Sequence, residues 1–374
     1  MKILCIGLAV ASAGAAVHAG EPSIPLQSAL RTRGTGSIVA LDGLDPLTTA
    51  TIAVDRAVSP GKMIYCGSPE YCPGSGVLYR DTFTTDTDVR LYLYHVNASK
   101  RPMRFSIVLE PVGGPAVVDV KNSIVIGPSI DYFSVGRLSS FIQLGRPVPR
   151  EPRRIRVDGI TLLDEDLDRR VCPPGRTEPL VHSLHDLRVV SGTVRVSSVA
   201  VEERADTVAR FPTLTLLSRD KNHDRGTYDG LTIRLNAIDT YSTADGVRHL
   251  RLADGKTDGW LPGGDATLKT DEPYRGAYGV IYRVHLRLAS PDGRRVALVL
   301  NPRGGGLGGA VSVETPGHGR STGYTPDLGL GTVNAKEEAV ILGKWNPRVT
   351  PEVTIVWTPP GAASLPVEWL LIPY

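Results

Sequence analysis

Residues 98–111 read ASKRPMRFSIVLEP and residues 289–302 read ASPDGRRVALVLNP, so the chain carries one motif twice without a gap. The apolar residues of the two copies coincide: Phe105 with Val296, Ile107 with Leu298, and Leu109 with Leu300. This alternation is typical of a β-strand with one buried face. We expect a hairpin in each copy, in which one strand ends near Asn97 or Ala289 and a polar turn leads into the alternating strand. A repeat spacing of about 190 residues exceeds any solenoid unit and indicates two related domains in tandem.

Short apolar runs that end at Gly, Pro, Asn or Asp recur along the whole chain. Because 40 glycines and 29 prolines are scattered through it, hardly any window keeps apolar residues at helical spacing. The pattern predicts an all-β fold of two tandem antiparallel β-sandwich domains, Ig-like or jelly-roll-like. The clearest runs are residues 89–96, 104–109, 116–120, 154–162, 193–201, 231–238, 280–288, 296–300 and 353–358.

The N-terminus has the composition of a secretory signal peptide. A lysine is followed by an apolar run over residues 3–17 and by small residues before Gly20, which predicts a signal peptide over residues 1–19. The rest of the chain is too long for one core, so we expect a first domain over residues 20–205 and a second over 206–374. No later apolar stretch is long enough for a transmembrane helix. We therefore expect an extracytoplasmic protein, in the periplasm or at the cell surface.

Charge argues against one class of partner. The formal net charge is +3 and 22% of the residues are charged, so positive and negative charges are nearly balanced. Nucleic-acid binding usually requires a strong basic excess. We therefore predict no nucleic-acid partner.

Several stretches are similar to a known group of proteins. Residues 76–82 (GVLYRDT) and 90–98 (RLYLYHVNA) in the first half, with 278–283 (YGVIYR) and 357–361 (WTPPG) in the second, resemble uncharacterised exported bacterial β-rich proteins. Members of that group are often recognised through an attached copper amine oxidase N-terminal-like (stalk) domain, which this chain lacks. The resemblance implies an envelope or extracellular setting and no catalytic residues.

Three cysteines follow the predicted signal peptide. Cys66 and Cys72 flank a short loop that contains Gly and Pro, and an exported protein can form disulfides, so we predict a Cys66–Cys72 disulfide. Cys172 would then remain an odd thiol. The cysteine spacing argues against a zinc site, because no CxxC pair is present.

One polar loop has the composition of a calcium site. Asp220, Asn222 and Asp224 alternate along the chain and Asp229 follows, and oxygen side chains at such spacing can converge on Ca²⁺. Arg225 occupies the position where an EF-hand loop has its Gly, and a polar loop with Asx turns explains the same residues. Ca²⁺ is the one cofactor that the sequence suggests.

A cluster of arginines is the first candidate for ligand binding. Five arginines lie close together among prolines and could bind an acidic polysaccharide of the cell wall or the extracellular space, or a teichoic phosphate: Arg146, Arg150, Arg153, Arg154 and Arg156. The alternative is a strand face whose arginines are neutralised by the acidic residues that follow, Asp164, Glu165, Asp166 and Asp168.

Aromatic residues are the second candidate. Trp260 and Trp345 are each flanked by Gly, Pro or Asn, and we predict that they form an exposed pair that could stack on sugar rings. His182 and His185 are expected to be solvated residues on opposite faces of a strand.

No catalytic motif is recognisable. The chain has no HExxH motif, and its GxSxG match at residues 319–323 (GRSTG) lacks the following helix pattern of a nucleophile elbow. We therefore expect a non-enzymatic, envelope-associated or extracellular binding or structural protein, and we assign no catalytic residues. The alternative is a secreted polysaccharide hydrolase with a carboxylate pair in a cleft between the domains.

Overall fold

The computed structural model describes residues 21–147, 149–175, 178–219 and 224–374, without the side chain of Ser68. Strands account for 50% of the residues and helices for 12%, which confirms the all-β class. The predicted signal peptide, residues 1–19, lies outside the described residues. None of the helices in the described ranges is long and apolar enough to span a bilayer.

Helices are few and mostly short. The longest, α2, begins where the Asp131 carboxylate accepts a hydrogen bond from the Ser134 amide at 3.0 Å. The sequence pattern missed α2 because its buried face includes Gly136, Ser139 and Ser140, which are not apolar markers. The α-helices are α1 (Ile24–Thr32), α2 (Tyr132–Gly145), α3 (Glu165–Asp168) and α4 (Thr207–Arg210), and 3-10 turns cover Pro46–Thr48, Phe211–Thr213, Thr243–Asp245 and Leu328–Leu330.

Twenty-six strands form the rest of the regular structure. They are β1 (Ile38–Ala40), β2 (Ala50–Thr51), β3 (Val54–Val58), β4 (Lys62–Cys72), β5 (Gly76–Thr84), β6 (Asp88–Asn97), β7 (Met103–Pro111), β8 (Ala116–Ser129), β9 (Arg153–Val157), β10 (Thr161–Leu162), β11 (Val171–Cys172), β12 (Leu180–Ser191), β13 (Thr193–Glu202), β14 (Arg225–Asp229), β15 (Thr232–Ala237), β16 (Tyr241–Ser242), β17 (Arg248–Leu252), β18 (Gly263–Asp265), β19 (Thr270–Asp271), β20 (Ile281–Ala289), β21 (Val296–Pro302), β22 (Gly309–Thr315), β23 (Gly319–Thr325), β24 (Glu338–Trp345), β25 (Glu352–Trp357) and β26 (Val367–Pro373).

The strands form four sheets. Sheet 1 has the order β19-β18-β14-β4-β6-β12-β8-β9, and sheet 2 has β10-β7-β13-β5 with β11 beside β7. Sheet 3 has the order β23-β22-β25-β20-β15-β3 with β16 beside β20, and sheet 4 has β1-β24-β21-β26-β17-β2. Sheets 1, 3 and 4 are mixed, because β4 and β6, β15 and β20, and β17 and β2 run parallel, whereas sheet 2 is antiparallel. The prediction of purely antiparallel sheets was therefore wrong at these pairs.

Sheets 1 and 2 enclose one core, and sheets 3 and 4 enclose another. The first core holds inward residues such as Leu91 and Leu93 of β6 against Phe105 and Ile107 of β7. In the second core, Trp357 of β25 packs edge-on against Trp369 of β26, with ring centroids 6.0 Å apart. This second cluster continues onto the outer face of sheet 1 through a group of tyrosines. Burial of apolar surface at that contact joins the two sheet pairs.

The two copies of the sequence motif occupy equivalent places in the fold. From β4 to β13 the sheet orders are β4-β6-β12-β8-β9 and β10-β7-β13-β5, and from β15 to β26 they are β15-β20-β25-β22-β23 and β24-β21-β26-β17. In each copy the strand before the polar turn and the strand after it belong to different sheets. The predicted hairpins were therefore wrong, because the turn crosses the core and does not join neighbouring strands.

Each half also receives a strand from the other part of the chain. Strand β3 directly precedes β4 in sequence but pairs with β15, whereas β14 precedes β15 and pairs with β4. Pairings thus cross the boundary expected near residue 205 in both directions. The two halves are held together by backbone hydrogen bonds as well as by side-chain packing.

Candidate functional site

A cleft of about 480 Å³ lies between sheet 1 and sheet 3, and we call it the basic cleft. Its walls come from both halves of the chain, with the end of α2 at one side. The charged and amide side chains that line it are Asp88, Arg90, Lys121, Asn122, Gln143, Arg146, Asp186, Arg234, Arg283 and Arg320. Cations outnumber carboxylates in this lining, so the cleft favours an anion.

Two of the cleft cations are paired with the two cleft carboxylates. Arg90 Nε lies 2.6 Å from Asp186 Oδ1, and Lys121 Nζ lies 2.6 Å from Asp88 Oδ1. Arg90 also donates to the carbonyl oxygen of Gly279 at 2.9 Å, which connects β6 to the second half. These pairs fix the floor of the cleft.

The other cations carry the positive excess. Arg283 Nη2 lies 2.6 Å from Glu314 Oε2, and Arg320 Nε lies 3.8 Å from Glu314 Oε1, so two guanidinium groups share one carboxylate. Among the residues that the structure describes, Arg146 and Arg234 form no ion pair. Burial and the nearby charge of Arg283 lower the pKa of Arg320, whereas Glu314 opposes that shift. An anion bound here would offset the repulsion between the guanidinium groups.

A second cavity, of about 250 Å³, is aromatic and lies close to the contact between the halves. Tyr92 stacks near Tyr65 and Tyr94, with ring centroids 5.9 and 6.0 Å away. Gly361 closes one side, and a Cβ there would lie 2.7 Å from the Tyr92 hydroxyl oxygen, so the approach requires glycine. Among the described residues, none that lines this cavity is charged, so the cavity offers fewer partners for ion pairs than the basic cleft.

Four of the five arginines predicted from sequence lie elsewhere. Arg153, Arg154 and Arg156 are on β9, at an edge of sheet 1, and with Arg150 they are exposed. Arg154 makes two hydrogen bonds to Asp119, at 2.8 and 2.9 Å. Arg146, the fifth arginine of the cluster, lines the basic cleft, whereas the other four do not.

The partners of these arginines also differ from the alternative interpretation. Asp119 neutralises Arg154, and Asp158 binds Arg156 with Nε–O distances of 2.9 and 2.7 Å. The acidic residues that follow have other partners: Asp164 accepts from His185, and Asp168 from Arg104. The alternative interpretation, in which the acidic residues at positions 164–168 neutralise these arginines, is therefore wrong.

The tryptophans do not form an exposed pair. Trp345 is 8% exposed and belongs to the core between sheets 3 and 4, where it opposes Val296 of β21. Trp260 is half-buried and packs against Gly255, where a Cβ would lie 2.1 Å from the indole nitrogen. The prediction of a sugar-stacking pair was wrong for Trp345.

The calcium prediction falls partly outside the described residues, because Asp220 and Asn222 lie in the undescribed segment. Asp224 precedes β14, and Asp229, at its end, forms an ion pair with Lys62. Arg225, between them, is buried. The calcium site stays a prediction.

The cysteines do not pair. Cys66, Cys72 and Cys172 are free and buried, so the predicted Cys66–Cys72 disulfide is absent. Both residues lie on β4, where the Cys66 thiol donates to Glu70 Oε2 at 2.8 Å and the Cys72 thiol to the Gly74 carbonyl at 3.1 Å. The chain from 66 to 72 is a strand with a bulge and not a closed loop.

The two histidines of β12 are buried, which contradicts the expectation of solvated residues. They do lie on opposite faces. His182 packs against the Tyr92 and Tyr94 rings, and its Nε2 forms a hydrogen bond of 2.6 Å with the Ser139 hydroxyl. His185 Nε2 lies 3.0 Å from Asp164 Oδ2. Burial lowers the pKa of His182 to about 3, so its imidazole is neutral at ordinary pH.

Sequence reasoning singled out Arg146 but missed the other cations of the basic cleft. Its cations lie on β6, β8, β15, β20 and β23 and just after α2, and no two of them are close in sequence. Isolated arginines in strands carry no pattern that separates them from ordinary surface residues. Only the packing of sheet 1 against sheet 3 brings them together.

Comparisons with known proteins add no identification. No model of a protein family matches the chain, and no curated protein matches it. Among solved structures, an 11S globulin from Wrightia tinctoria, described as revealing an auxin binding site, covers 86% of this chain and 84% of its own, at 11% identity and a TM-score of 0.13. A match with that TM-score carries no argument. The resemblance to exported bacterial proteins therefore stays a prediction.

Proposed function

We propose that this protein is an exported, non-enzymatic binding protein of the cell envelope or extracellular space, and that the basic cleft binds an acidic polysaccharide. The single observation that carries the proposal is the excess of cations over carboxylates in the cleft lining. Arg guanidinium groups bind carboxylates with two parallel hydrogen bonds, which suits uronic acids. The signal-peptide composition of residues 1–19 supports export.

The architecture supports this role. We infer two related β-sandwich units in tandem, the first built mainly from β4–β13 and the second from β15–β26, each completed by one exchanged strand. A ligand in a cleft between two joined units contacts both of them. Clefts between structural units are common binding sites.

Polysaccharide hydrolysis is the second candidate because Asp88 and Asp186 both line the cleft. A glycosidase needs one protonated and one ionised carboxyl across the scissile bond. Here each carboxylate is already engaged in an ion pair with a cation of the cleft and is not free to act on a scissile bond. This arrangement supports binding over hydrolysis.

The test is calorimetric titration of residues 20–374 with oligogalacturonate, and with a neutral galactose oligomer for comparison. We expect saturable binding of the acidic oligomer alone, which weakens as salt is raised. The double variant Arg234→Gln/Arg320→Gln should lose affinity by about tenfold or more, since a hydrogen bond to a charged group contributes about 1.5–3 kcal/mol.

The matched control is Arg150→Gln/Arg156→Gln at the β9 edge, which removes the same charge outside the cleft. Equal loss in the control would move the site to β9, and loss on addition of EDTA would implicate the Asp220 loop. Equal binding of the neutral oligomer, or no binding of either, would contradict the proposal. Release of reducing ends during incubation would support the hydrolase.

A further inference from the structure

A buried polar cluster lies inside the core between sheets 1 and 2, away from the basic cleft. It consists of Cys66, Glu70 and His95, and we call it the Cys66 cluster. One donor atom of each residue lies within 4.8 Å of the other two. Cys66 Sγ is 2.8 Å from Glu70 Oε2 and 3.3 Å from His95 Nε2, and the three residues are at most 2% exposed. Burial of polar and charged groups costs free energy unless they are hydrogen-bonded, paired with an opposite charge or bound to a metal ion.

The fold builds this cluster with a bulge in β4. In the parallel pairing with β6, Cys66 opposes Leu93 and Glu70 opposes His95, so β4 uses extra residues over this step. Gly67 makes the bulge possible, because its φ is +110° and a Cβ would lie 2.2 Å from the Tyr94 carbonyl oxygen. The bulge turns the Glu70 carboxylate back toward the Cys66 thiol.

The second half of the chain shows that the fold does not require these polar groups. Leu235 of β15 opposes Val284 of β20 as Cys66 opposes Leu93. The motif alignment places Leu286 where His95 stands. Both leucines are buried in the core between sheets 3 and 4. Apolar residues therefore fill the same positions in an equivalent pair of sheets.

We propose that Cys66, Glu70 and His95 bind one zinc ion. Thiolate sulfur, imidazole nitrogen and carboxylate oxygen are the ligands that Zn²⁺ takes in proteins, at about 2.0–2.3 Å. Ligands at those distances around a tetrahedral ion are roughly 3.5 Å apart. In the cluster the thiol sulfur lies 2.8 Å from the carboxylate oxygen and 3.3 Å from the imidazole nitrogen, and all three donor atoms lie within 4.8 Å of one another. The thiol and imidazole make Ca²⁺ or Mg²⁺ unsuitable. Three protein ligands leave a fourth position for water or another ligand.

The protonation states and charges suit a divalent cation. Burial lowers the pKa of His95 to about 3, so the ring is neutral and keeps a lone pair. Burial and the Glu70 carboxylate raise the pKa of the Cys66 thiol, so metal binding must release the thiol proton to solvent. Asp265 and Glu70 share the buried Arg225, at 3.3 and 3.4 Å. With a Cys66 thiolate, these four side chains carry a net charge that balances Zn²⁺.

The test uses the reduced, EDTA-treated chain of residues 20–374, titrated with Co²⁺ as a spectroscopic probe and then with Zn²⁺. We expect one Co²⁺ per chain, a thiolate-to-cobalt charge-transfer band, displacement by Zn²⁺ and release of one proton. Cys66→Ser should abolish the band, and His95→Gln should weaken binding by more than the roughly 10–100-fold typical of an outer-shell partner. Cys72→Ser and Cys172→Ser are matched controls, because they remove buried thiols outside the cluster and should keep the band.

X-ray absorption on the zinc-loaded unmutated chain makes the result independent of how the variants fold. One sulfur with nitrogen or oxygen neighbours is expected. A folded chain that binds no Co²⁺, a zinc shell without sulfur, or equal loss of the band in a control would overturn the proposal. These outcomes do not depend on binding at the basic cleft, so the two proposals can fail separately.

Discussion

The two halves of the molecule share one strand order but treat one position of the core differently. In the first half, β4 bulges and places Cys66 and Glu70 beside His95. In the second half, Leu235 fills the place of Cys66 and Leu286 fills the place of His95. The same strand order therefore forms with apolar residues at these inward positions, and the fold does not require the thiol and the imidazole of the first half. Polar groups retained in a core without a folding requirement indicate a functional role.

The exchanged strands, β3 and β14, show a feature that the two halves share. Arg225 of β14 opposes Cys66, and Arg56 of β3 opposes Leu235, so each half receives an arginine at the same place. Arg225 is 1% exposed and pairs with Asp265, whereas the Arg56 side chain is 28% exposed and pairs with Asp258. An arginine that enters with the exchanged strand is common to both halves, and its full burial is particular to the first.

The largest effect should follow from removing the buried arginine. Arg225→Met leaves the Glu70 and Asp265 carboxylates buried without their common cation, and we expect a loss of about 3–5 kcal/mol in the free energy of unfolding. Denaturant unfolding of the metal-free chain measures this. Arg56→Met is the matched control and should cost clearly less, because water reaches Arg56. Equal losses would mean that burial does not distinguish the two arginines.

A slightly smaller effect should follow from opening a cavity in the apolar half. Leu286 is 1% exposed, and Leu286→Ala should lower the free energy of unfolding by about 2–5 kcal/mol through lost burial and the cavity left behind. The same denaturant measurement applies. Val349→Ala, at a residue that is 74% exposed, should change it by no more than about 0.5 kcal/mol. A small loss at Leu286 would show that this core can collapse around the gap.

The third effect is graded with pH and is small near neutral pH. The folded protein holds His95 and His182 neutral down to about pH 3, whereas in the unfolded chain both imidazoles bind protons below the ordinary histidine pKa of 6.5. The unfolded state therefore binds more protons in this range, and stability falls as the pH drops from 6.5 toward 3, by about 1.4 kcal/mol per pH unit for each histidine.

His95→Leu copies the second half at this position. In EDTA, the pH slope of its free energy of unfolding should be smaller than that of the unmutated chain by the contribution of one bound proton. The contribution of His182 to the slope should remain. His318→Leu, at an exposed histidine, is the control and should leave the slope unchanged. An unchanged slope in His95→Leu would mean that His95 can be protonated in the folded protein.

Sequence reasoning reached the strands and the repeat because both are local. Alternating residues such as Phe105, Ile107 and Leu109 mark a strand wherever it pairs. It missed α2, whose buried face is made of small and polar residues, and it placed Trp345 on the surface because its Gly and Asn neighbours resemble a loop. It also interpreted Cys66 to Cys72 as a loop, since Gly67 and Pro69 suit a bulge as well as a turn.

The sequence by itself determined the β class, the repeated motif and the inward residues of β7 and β21, because the alternation of side chains along a strand depends only on neighbouring residues. Only the tertiary structure decided which strands pair, that β3 and β14 are exchanged, and that the basic cleft and the Cys66 cluster exist. These features join residues such as Arg90 with Arg283, or Cys66 with His95, that are distant along the chain. Their approach depends on the packing of whole sheets, which no local pattern encodes.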